Sequence, residues 1–435
     1  MGISRRQWLK SGAASALGAS FAGTAKAQAR GQAAGRQPQR SGRRSQLFDK
    51  LQPLGDRAKP IAVAEMQQRV ARAQQLMRDA TPRLDALYIA PGSSMFYFFG
   101  VRWGLSERLF AFVIPRAGDA LLVCPAFEEG RARELLRWEI PVRVWHEDES
   151  PYALAAATLA ERGLRTGRIG VEEHTRFHFY DGLRRSANGF EFASADPVTI
   201  GCRSRKTAHE LQLMQVACEA TVDVYRAVFD SLREGMTQGD VSNLLRQGFQ
   251  RMGLGGGALV LFGQWAALPH GTRQPQQLKE GDVVLIDGGT SVEGYASDVT
   301  RCSVLGRPSD KLRAAFNTVR KAQDAALAAA MRGKTTGSVD DAGRKVVSDA
   351  GYGENYKLFT HRLGHGIGLD GHEHPYLVRG STTVLEPGMT FSNEPGIYLR
   401  GEYGMRLEDI MVIEEKGPAR LLTPGFSPSL ERPCG

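Results

Sequence analysis

The sequence predicts a protein of two consecutive domains, each a mixture of α-helices and β-strands. The chain has 435 residues, 42% of them hydrophobic and 24% charged, which is a globular composition and a length that suits two domains. Helical and strand-like patterns alternate over about residues 60–200, and a new alternation begins after Gly201. This arrangement predicts an α/β domain at residues 59–203 and a second mixed domain at 204–430.

Residues 1–58 precede the predicted domains and differ from them in composition. Ser4-Arg5-Arg6-Gln7-Trp8-Leu9-Lys10 is followed by an Ala- and Gly-rich stretch that ends at Ala25-Lys26-Ala27. This order predicts a twin-arginine export signal over residues 1–27, and hence export of the folded protein to the periplasm or the cell exterior. A disordered basic tail is the alternative. Residues 28–58, rich in Arg, Gln, Gly and Ser, are predicted to be a flexible basic linker.

The net charge of the chain, +9 at pH 7, comes from its beginning. Residues 1–50 contain ten Lys and Arg and a single acid, Asp49, which leaves 46 of the 56 basic and 46 of the 47 acidic residues for the rest. The predicted domains are therefore neutral, and nucleic acid is not an expected partner. No apolar run reaches the roughly 20 residues of a membrane helix, so no stable membrane span is expected.

The first predicted domain contains one clear helix and several short apolar strands. Residues 66–78 have a helical pattern, and residues 87–89, 110–114 and 120–123 are apolar runs of strand length. Helical and strand-like segments continue to about residue 195. This alternation is typical of an α/β domain.

The second predicted domain begins with a helix. Thr207 and Glu210 form a capping box that precedes apolar residues at helical spacing, from Leu211 onwards,. Further helical patterns cover residues 241–251 and 311–331, with strand-like segments between and after them. The domain is therefore predicted to contain both helices and strands.

Two aspartates lie in a predicted β-hairpin of this second domain. Apolar runs at 282–287 and 299–304 flank a short polar turn,. If Thr290 and Tyr295 close a four-residue loop, Asp287 and Asp298 lie directly opposite each other. Opposed like charges are destabilising unless something offsets them, and a bound cation would do so. The alternative is a slipped register with both aspartates in solvent.

A histidine-rich segment and two further carboxylates complete a candidate metal site. Residues 361–374 contain four of the nine histidines of the chain, and Glu394 and Glu408 lie beside strand-like runs. Carboxylates with an imidazole suit hard or borderline divalent cations such as manganese, iron, cobalt or zinc. Two such cations can share a water, lower its pKa and stabilise an oxyanion, which is the chemistry of amide hydrolysis.

At these residues the chain resembles the pita-bread metallopeptidases, in the branch of Xaa-Pro aminopeptidases and prolidases. The motifs LIDGG, SDVTR, GHGIGLDGHE, NEPGIY and RLED occur in the family's order. The resemblance covers about residues 60–430. It implies a creatinase-like α/β domain at the N-terminal side and a pita-bread catalytic domain, α+β with pseudo-twofold symmetry, after it.

The resemblance also implies a role for each candidate site residue. Asp298 and Glu408 would bridge two divalent cations, Asp287 would bind one cation, and His365 and Glu394 the other. Manganese is the first choice of metal, and cobalt, zinc or iron could replace it. Glu394 would also act as a proton shuttle. His270 and His372 would be catalytic histidines that bind no metal, and His361 and Arg406 would be supporting residues nearby.

The substrate expected from the resemblance is a peptide with proline in second position. Tyr376 stands where prolidases typically carry an arginine for the free carboxylate of a dipeptide, which favours an Xaa-Pro aminopeptidase over an Xaa-Pro dipeptidase. The sequence is also compatible with a metal-dependent hydrolase or lyase of a non-peptide small molecule and, less readily, with a non-catalytic binding protein. Related enzymes are commonly dimers or tetramers, so a homodimer or higher homo-oligomer is expected.

Overall fold

A computed structural model describes residues 47–435 of the chain. The predicted export signal and residues 28–46 of the predicted linker lie outside the described residues. The end of that linker differs from the prediction, because Leu51 and Leu54 are buried in the apolar core of the C-terminal half. Apolar side chains at this spacing secure residues 47–58 to the folded protein.

Helices and strands alternate along the described chain. The helices are Val63–Asp79 (α1), Ser93–Phe99 (α2), Glu129–Leu135 (α3), Pro151–Glu161 (α4), Phe177–Ser186 (α5), Asp196–Arg203 (α6), Ala208–Phe229 (α7), Gln238–Arg251 (α8), Asp310–Ala329 (α9) and Thr336–Val347 (α10). The strands are Ala86–Ile89 (β1), Ala111–Pro115 (β2), Leu121–Pro125 (β3), Val142–Trp145 (β4), Gly167–Val171 (β5), Phe190–Ser194 (β6), Gly256–Phe262 (β7), Val283–Val292 (β8), Tyr295–Ala296 (β9), Val299–Val304 (β10), Gly364–Gly366 (β11), Glu373–Leu377 (β12), Thr390–Asn393 (β13), Gly396–Leu399 (β14), Tyr403–Arg406 (β15), Asp409–Val412 (β16) and Arg420–Leu421 (β17). Within residues 47–435, none of the helices combines the length and apolarity that crossing a membrane requires.

The N-terminal half is built on one six-stranded sheet with the order β4-β3-β2-β1-β5-β6. Strand β1 runs antiparallel to β2 and parallel to β5. Leu87 and Ile89 of β1 pack into the core on one face of the sheet, while Ala86 and Tyr88 pack into the core on the other. Because side chains alternate along a strand, a sheet covered on both faces needs such uniformly apolar strands. This is the α/β architecture that the sequence predicts.

The C-terminal half contains the same succession of elements twice. The helices α7 and α8 precede a sheet with the order β10-β8-β7, in which β9 also pairs with β8. The helices α9 and α10 precede a sheet with the order β12-β11-β13-β16-β17 and the separate pair β14-β15. An isolated bridge between Thr300 and Glu408 joins the two sheets. The polar residues of the candidate site gather around this junction.

Helix α7 begins at the predicted capping box. The Thr207 side chain accepts a hydrogen bond from the Glu210 backbone N–H (3.3 Å), and the Glu210 carboxylate accepts one from the Thr207 N–H (2.7 Å). The Glu210 carboxylate also pairs with Arg69 of α1 (3.0 Å) and accepts from the Tyr295 hydroxyl (2.6 Å). The capping residue therefore links the N-terminal half to the tip of the aspartate hairpin.

The register of the aspartate hairpin differs from the prediction by two residues. Asp287 lies opposite Thr300 rather than Asp298, because the loop contains only Glu293 and Gly294. Both loop residues have positive φ angles, 50° and 91°, as in the two-residue turns whose twist matches that of paired strands. A shift of two positions preserves the face on which a side chain lies. Asp287 and Asp298 are therefore diagonal neighbours.

Candidate metal centre

All the predicted site residues except Tyr376 line one cavity of about 300 Å³ at the junction of the two C-terminal sheets. Strands β8, β11 and β15 contribute residues to it, together with the segments that follow β9, β13 and β15. The lining residues are Pro269, His270, Asp287, Asp298, His361, Arg362, His365, His372, Glu394, Arg406 and Glu408. The chain thus brings together side chains that are up to 139 positions apart in the sequence.

All five predicted metal ligands belong to clusters of converging donor atoms. The donor atoms of Asp287, Asp298 and Glu408 lie within 4.8 Å of one another, and so do those of His365, Glu394 and Glu408. Glu408 is common to the two clusters, as a residue that bridges two cations must be. A third cluster joins Asp298 and His365 to His372, which the sequence analysis treats as a residue that binds no metal.

Asp287 has protein partners for both carboxylate oxygens. It accepts hydrogen bonds from the Thr300 hydroxyl (2.7 Å) and from Arg406 Nη2 (2.5 Å). Burial acts to raise the pKa of Asp287, but the charge of Arg406 and the bonds from Thr300, Glu408 and Arg406 outweigh it and hold the pKa below its ordinary value,. Asp287 is therefore a carboxylate whose charge is compensated within the protein.

Three other carboxyl groups of the cavity lack such compensation. Burial and then the charge of Asp287 raise the pKa of Asp298 to about 7. Burial also raises the pKa of Glu394 to about 8, with Asp287 and Asp298 adding to the effect and Arg406 opposing it. Burial and the neighbouring acids raise the pKa of Glu408 well above its ordinary value. This crowding is the arrangement that bound cations relieve.

His365 faces two of these carboxyl groups with its unprotonated nitrogen. Its Nδ1 lies 3.1 Å from the Gly366 carbonyl oxygen, which can only accept, so Nδ1 carries the proton,. Burial and the nearby His372 lower the pKa of His365 to about 3, so the ring is neutral. The Nε2 lone pair then lies 3.3 Å from Glu394 Oε1 and 3.9 Å from Glu408 Oε1.

The ligand set fits divalent cations by its own chemistry. Glu408 Oε1 is buried and has no hydrogen-bond partner among the described residues, although a buried polar atom without a partner is costly. The oxygen faces the His365 lone pair, and neither group can donate to the other when the carboxyl group is ionised. A cation between an imidazole nitrogen and carboxylate oxygens satisfies both.

Backbone contacts fix the position of the imidazole. The His365 N–H donates to the Ser392 hydroxyl (2.9 Å), which in turn donates to Glu394 (3.2 Å). Gly364 allows this approach, because a Cβ at that position would lie 2.0 Å from the Ser392 carbonyl oxygen. The glycines of the histidine-rich segment therefore let β11 and β13 come close enough to unite two ligands.

A chain of hydrogen bonds connects the two predicted supporting residues through a tyrosine. Arg406 Nη1 donates to the Tyr398 hydroxyl (2.8 Å), and that hydroxyl lies 2.7 Å from His361 Nε2. Because His361 Nδ1 is 2.7 Å from the Arg362 carbonyl oxygen and donates to it, Nε2 accepts from Tyr398,. Tyr398 belongs to the motif NEPGIY, but the sequence alone gives no sign of its role.

The open side of the cavity carries groups of a different kind. His270 and His372 are exposed, and the His372 ring stacks on His365 with a centroid distance of 3.6 Å. Tyr376 lies in β12 opposite His365. The guanidinium of Arg362 stands 4.2 Å from the centre of the Tyr376 ring. Arg362 lies beside His361 in the histidine-rich segment, but the sequence did not predict it as a site residue.

The loop that carries His372 is secured by residues on both sides of the boundary between the two halves. Arg203 Nη2 donates to Asp370 (2.5 Å) and to Glu373 (2.5 Å), on the two sides of His372. Lys206 Nζ also donates to Glu373 (2.6 Å). Glu373 and Lys206 are buried, so the ion pairs of Glu373 are protected from solvent screening.

A buried ion pair lies next to the ligand strands. Arg301 and Asp409 are 1% and 0% exposed and are separated by 2.6 Å. Arg301 Nη1 also donates to the Glu408 carbonyl oxygen (2.8 Å), and Gln323 donates to Asp409 (3.1 Å). Arg301 belongs to the motif SDVTR and Asp409 to the motif RLED, but the sequence alone does not show that these two residues form an ion pair. The pair holds β10 against the segment that carries Glu408.

Comparison with known proteins identifies the family. The profile "Metallopeptidase family M24" matches residues 212–415, and "Creatinase/Prolidase N-terminal domain" matches residues 69–205. "Probable dipeptidase PepE" of Mycobacterium tuberculosis is 35% identical over 354 residues, 80% of this chain and 92% of the relative. The chain belongs to metallopeptidase family M24. "Xaa-Pro dipeptidase" of Lactobacillus delbrueckii subsp. lactis is 34% identical, over 77% of this chain and 91% of the relative.

Solved structures of similar M24 enzymes confirm the predicted fold class. Dipeptidase PepE from Mycobacterium ulcerans has a TM-score of 0.77 and 32% identity, with 84% of this chain and 98% of that chain covered. The X-Pro aminopeptidase from Thermotoga maritima has a TM-score of 0.69 and 27% identity, with 81% and 98% covered. The creatinase-like N-terminal domain, the pita-bread catalytic domain and the predicted branch of the family are thus confirmed. This M24 chain is a metallopeptidase, as the resemblance implied.

The prediction of folded export to the periplasm or the cell exterior is wrong by the same comparison. The relatives of this M24 enzyme are dipeptidases and prolidases, which are typically cytoplasmic. The prediction of export depended on the order of charged, Ala-rich and small residues in residues 1–27. The alternative for these residues is a disordered basic tail. Those residues lie outside the part of the chain that the structure describes.

Proposed function

We propose that this enzyme hydrolyses the peptide bond before proline in short peptides and uses two divalent cations held by Asp287, Asp298, His365, Glu394 and Glu408. The main support for this proposal is that the His365 Nε2 lone pair faces Glu408 Oε1. This buried oxygen has no hydrogen-bond partner within residues 47–435. Manganese is the first choice of metal, because oxygen-rich sites accept it together with cobalt, zinc and iron. A homodimer or higher homo-oligomer remains the expected assembly.

The side chains of the cavity suit the steps of amide hydrolysis. Bound divalent cations supply an activated water and polarise the carbonyl that is attacked. Glu394, whose carboxylate accepts a hydrogen bond from the Ser392 hydroxyl (3.2 Å), would take up a proton and release it to the leaving nitrogen,. His270 and His372, exposed on the open side, would contact the substrate carbonyl and the developing oxyanion,.

The similar proteins favour a dipeptidase. Relatives from Mycobacterium tuberculosis and Lactobacillus delbrueckii carry dipeptidase names at 35% and 34% identity. An Xaa-Pro aminopeptidase is the second candidate, favoured by Tyr376 at the position where prolidases typically carry an arginine. We propose the dipeptidase first, since the solved X-Pro aminopeptidase from Thermotoga maritima is less similar, at 27% identity.

An assay of metal-stripped and reloaded protein tests the proposed function. The purified full chain would be reloaded with manganese, cobalt or zinc and assayed on Xaa-Pro dipeptides beside Xaa-Pro-Yaa tripeptides. Preference for the dipeptide supports an Xaa-Pro dipeptidase, and preference for the tripeptide an Xaa-Pro aminopeptidase. Equal rates with and without metal would overturn the metal-dependent mechanism. If neither peptide is hydrolysed, the proposal of a peptide substrate is wrong.

Two alanine variants serve as the matched pair for this assay. Asp298→Ala removes a carboxylate of the candidate centre and is expected to lose activity by at least about 1,000-fold. Asp324→Ala removes an aspartate outside the cavity, whose ion pair with Arg320 is formed on the surface of α9. The second variant should retain the rate of the wild-type enzyme.

A further inference from the structure

Arg362 places a positive charge in the metal cavity at a well-defined position. Its guanidinium lines the cavity together with the predicted ligands and stands 4.2 Å from the centre of the Tyr376 ring. The backbone on both sides is anchored. Arg344 Nη2 donates to the His361 carbonyl oxygen (2.8 Å), and the Leu363 N–H donates to Asp340 Oδ1 (2.8 Å). The guanidinium is therefore presented on a fixed part of the chain.

Within residues 47–435, the Arg362 guanidinium makes no ion pair and no hydrogen bond, and it stands over the face of Tyr376. The other arginine of the cavity, Arg406, is 3% exposed and is paired with Asp287. A guanidinium has five N–H donors in a planar fork, which match the two oxygens of a carboxylate. Arg362 thus offers the cavity a carboxylate-binding group that the protein itself does not use.

The charge balance of the cavity favours an anion at this place. Two divalent cations would neutralise the four carboxylates, and the histidines are neutral when their rings keep one proton each. The charges of the two arginines then remain. A dipeptide carries one anionic group, its C-terminal carboxylate, next to the proline ring and one residue from the bond that is cleaved.

We propose that Arg362, positioned by the Tyr376 ring, binds the free C-terminal carboxylate of an Xaa-Pro dipeptide and thereby selects dipeptides over longer peptides. This inference rests on the proposed function and names its substrate class. In a tripeptide, a neutral amide would occupy the place of the carboxylate and leave the guanidinium unpaired. Prolidases typically carry an arginine at the position of Tyr376, and its absence here favours an aminopeptidase. Arg362 would supply the missing guanidinium from a different position.

The test compares substrates that differ only in the group next to Arg362. Metal-loaded wild-type enzyme and Arg362→Met would be assayed on an Xaa-Pro dipeptide and on the same compound with a C-terminal amide. We expect the wild-type enzyme to prefer the free carboxylate by about 10- to 100-fold in kcat/KM, mainly through KM, and Arg362→Met to lose that preference. Arg362→Lys, which keeps the charge but not the fork, should fall between them.

Arg131→Met is the matched control, because its guanidinium also stands over an aromatic ring, 4.4 Å from the centre of Trp103, but outside the metal cavity. It should keep the wild-type preference. Arg362→Met overturns the proposal if it keeps the full preference, or if its rates on both substrates fall equally. Thermal unfolding of each variant would identify a loss that comes from misfolding.

An equilibrium measurement separates this inference from the proposed function. Calorimetric binding of the dipeptide and of its amide to the metal-stripped full chain reports carboxylate recognition without catalysis. If the wild-type enzyme hydrolyses neither compound, the proposed function fails. The inference about Arg362 survives that result only if the wild-type protein binds the carboxylate form at least about 10-fold more tightly and Arg362→Met does not.

Discussion

The two sides of the metal cavity differ in how their polar groups are satisfied. The inner wall is formed by Asp287 and Arg406, which bond to each other and to Thr300 and Tyr398 outside the lining of the cavity. The outer wall is formed by His270, Arg362 and His372, which are held by ring contacts or exposed to solvent, together with Tyr376, whose ring supports Arg362. The proposed cation ligands Asp298, His365, Glu394 and Glu408 lie in the same cavity.

This difference separates groups that stabilise the fold from groups available to a ligand. A buried side chain that is fully bonded inside the protein lowers the free energy of the folded state and has nothing left to offer a substrate. A positioned side chain without a hydrogen-bond partner gains one when a ligand arrives. The inner wall should therefore govern stability, and the outer wall should govern recognition.

The largest effect is expected from Arg406→Met in the inner wall. This change leaves Asp287 and the Tyr398 hydroxyl without a cationic donor in a buried environment. Breaking a buried ion pair in this way typically costs about 3–5 kcal/mol. Denaturant unfolding should show this loss, together with loss of activity. Arg362→Met in the outer wall should change the free energy of unfolding by less than about 1 kcal/mol, and equal losses in the two variants would remove the distinction between the walls.

A smaller effect for each pH unit is expected from pH in the metal-stripped protein. Asp298 and Glu394 have pKa values raised to about 7 and about 8, so between about pH 4 and pH 8 the folded chain binds more protons than the unfolded chain. The free energy of unfolding should then fall as pH rises through this window, by up to about 1.4 kcal/mol per pH unit for each group. Cations that replace these protons should remove the loss.

Thermal unfolding of stripped and reloaded protein measures this pH effect. The difference between their midpoints should widen from about pH 5 to pH 8. Glu394→Gln, which has no proton to lose at this position, should reduce the pH dependence of the stripped protein. A difference in midpoints that stays constant across the window would show that these carboxyl groups are not protonated in the metal-free fold.

The smallest effect is expected from Tyr376 in the outer wall. Tyr376→Phe keeps the ring beneath the Arg362 guanidinium and should leave the preference for a free carboxylate unchanged. Tyr376→Ala removes the ring and should reduce that preference by about 2- to 10-fold, the size of a partly exposed cation–π contact. The ratio of kcat/KM on the dipeptide and its amide measures both variants. A larger loss in Tyr376→Phe would point to the hydroxyl rather than the ring.

Sequence patterns were sufficient for the fold class and for the residues that converge in the cavity. Asp287 and Asp298 were assigned to one hairpin because apolar runs flank a short turn, and His365 because histidines and glycines are dense around it. The register could not be derived in the same way, because a Glu293 backbone with a φ of 50° has no marker in the sequence. The prediction was wrong by two residues yet kept the correct face.

The sequence did not predict the residues whose importance depends on burial or on a missing hydrogen-bond partner. Arg301 and Asp409 pair only because the fold removes both from solvent. Arg362 could not be identified from its position in the sequence, because its guanidinium reaches the Tyr376 ring from the segment that precedes β11. Three-dimensional proximity, rather than residue type, distinguishes such positions.

The ion pairs around His372 limit how freely the N-terminal half could be exchanged between related enzymes. A chimera joined at the predicted boundary would replace Arg203, the shared partner of Asp370 and Glu373. The catalytic half would retain every proposed metal ligand, but Asp370 would lose its ion pair and Glu373 would keep only the one with Lys206. Catalytic activity thus depends on both halves of the protein, although all the groups proposed for the chemistry belong to the C-terminal half.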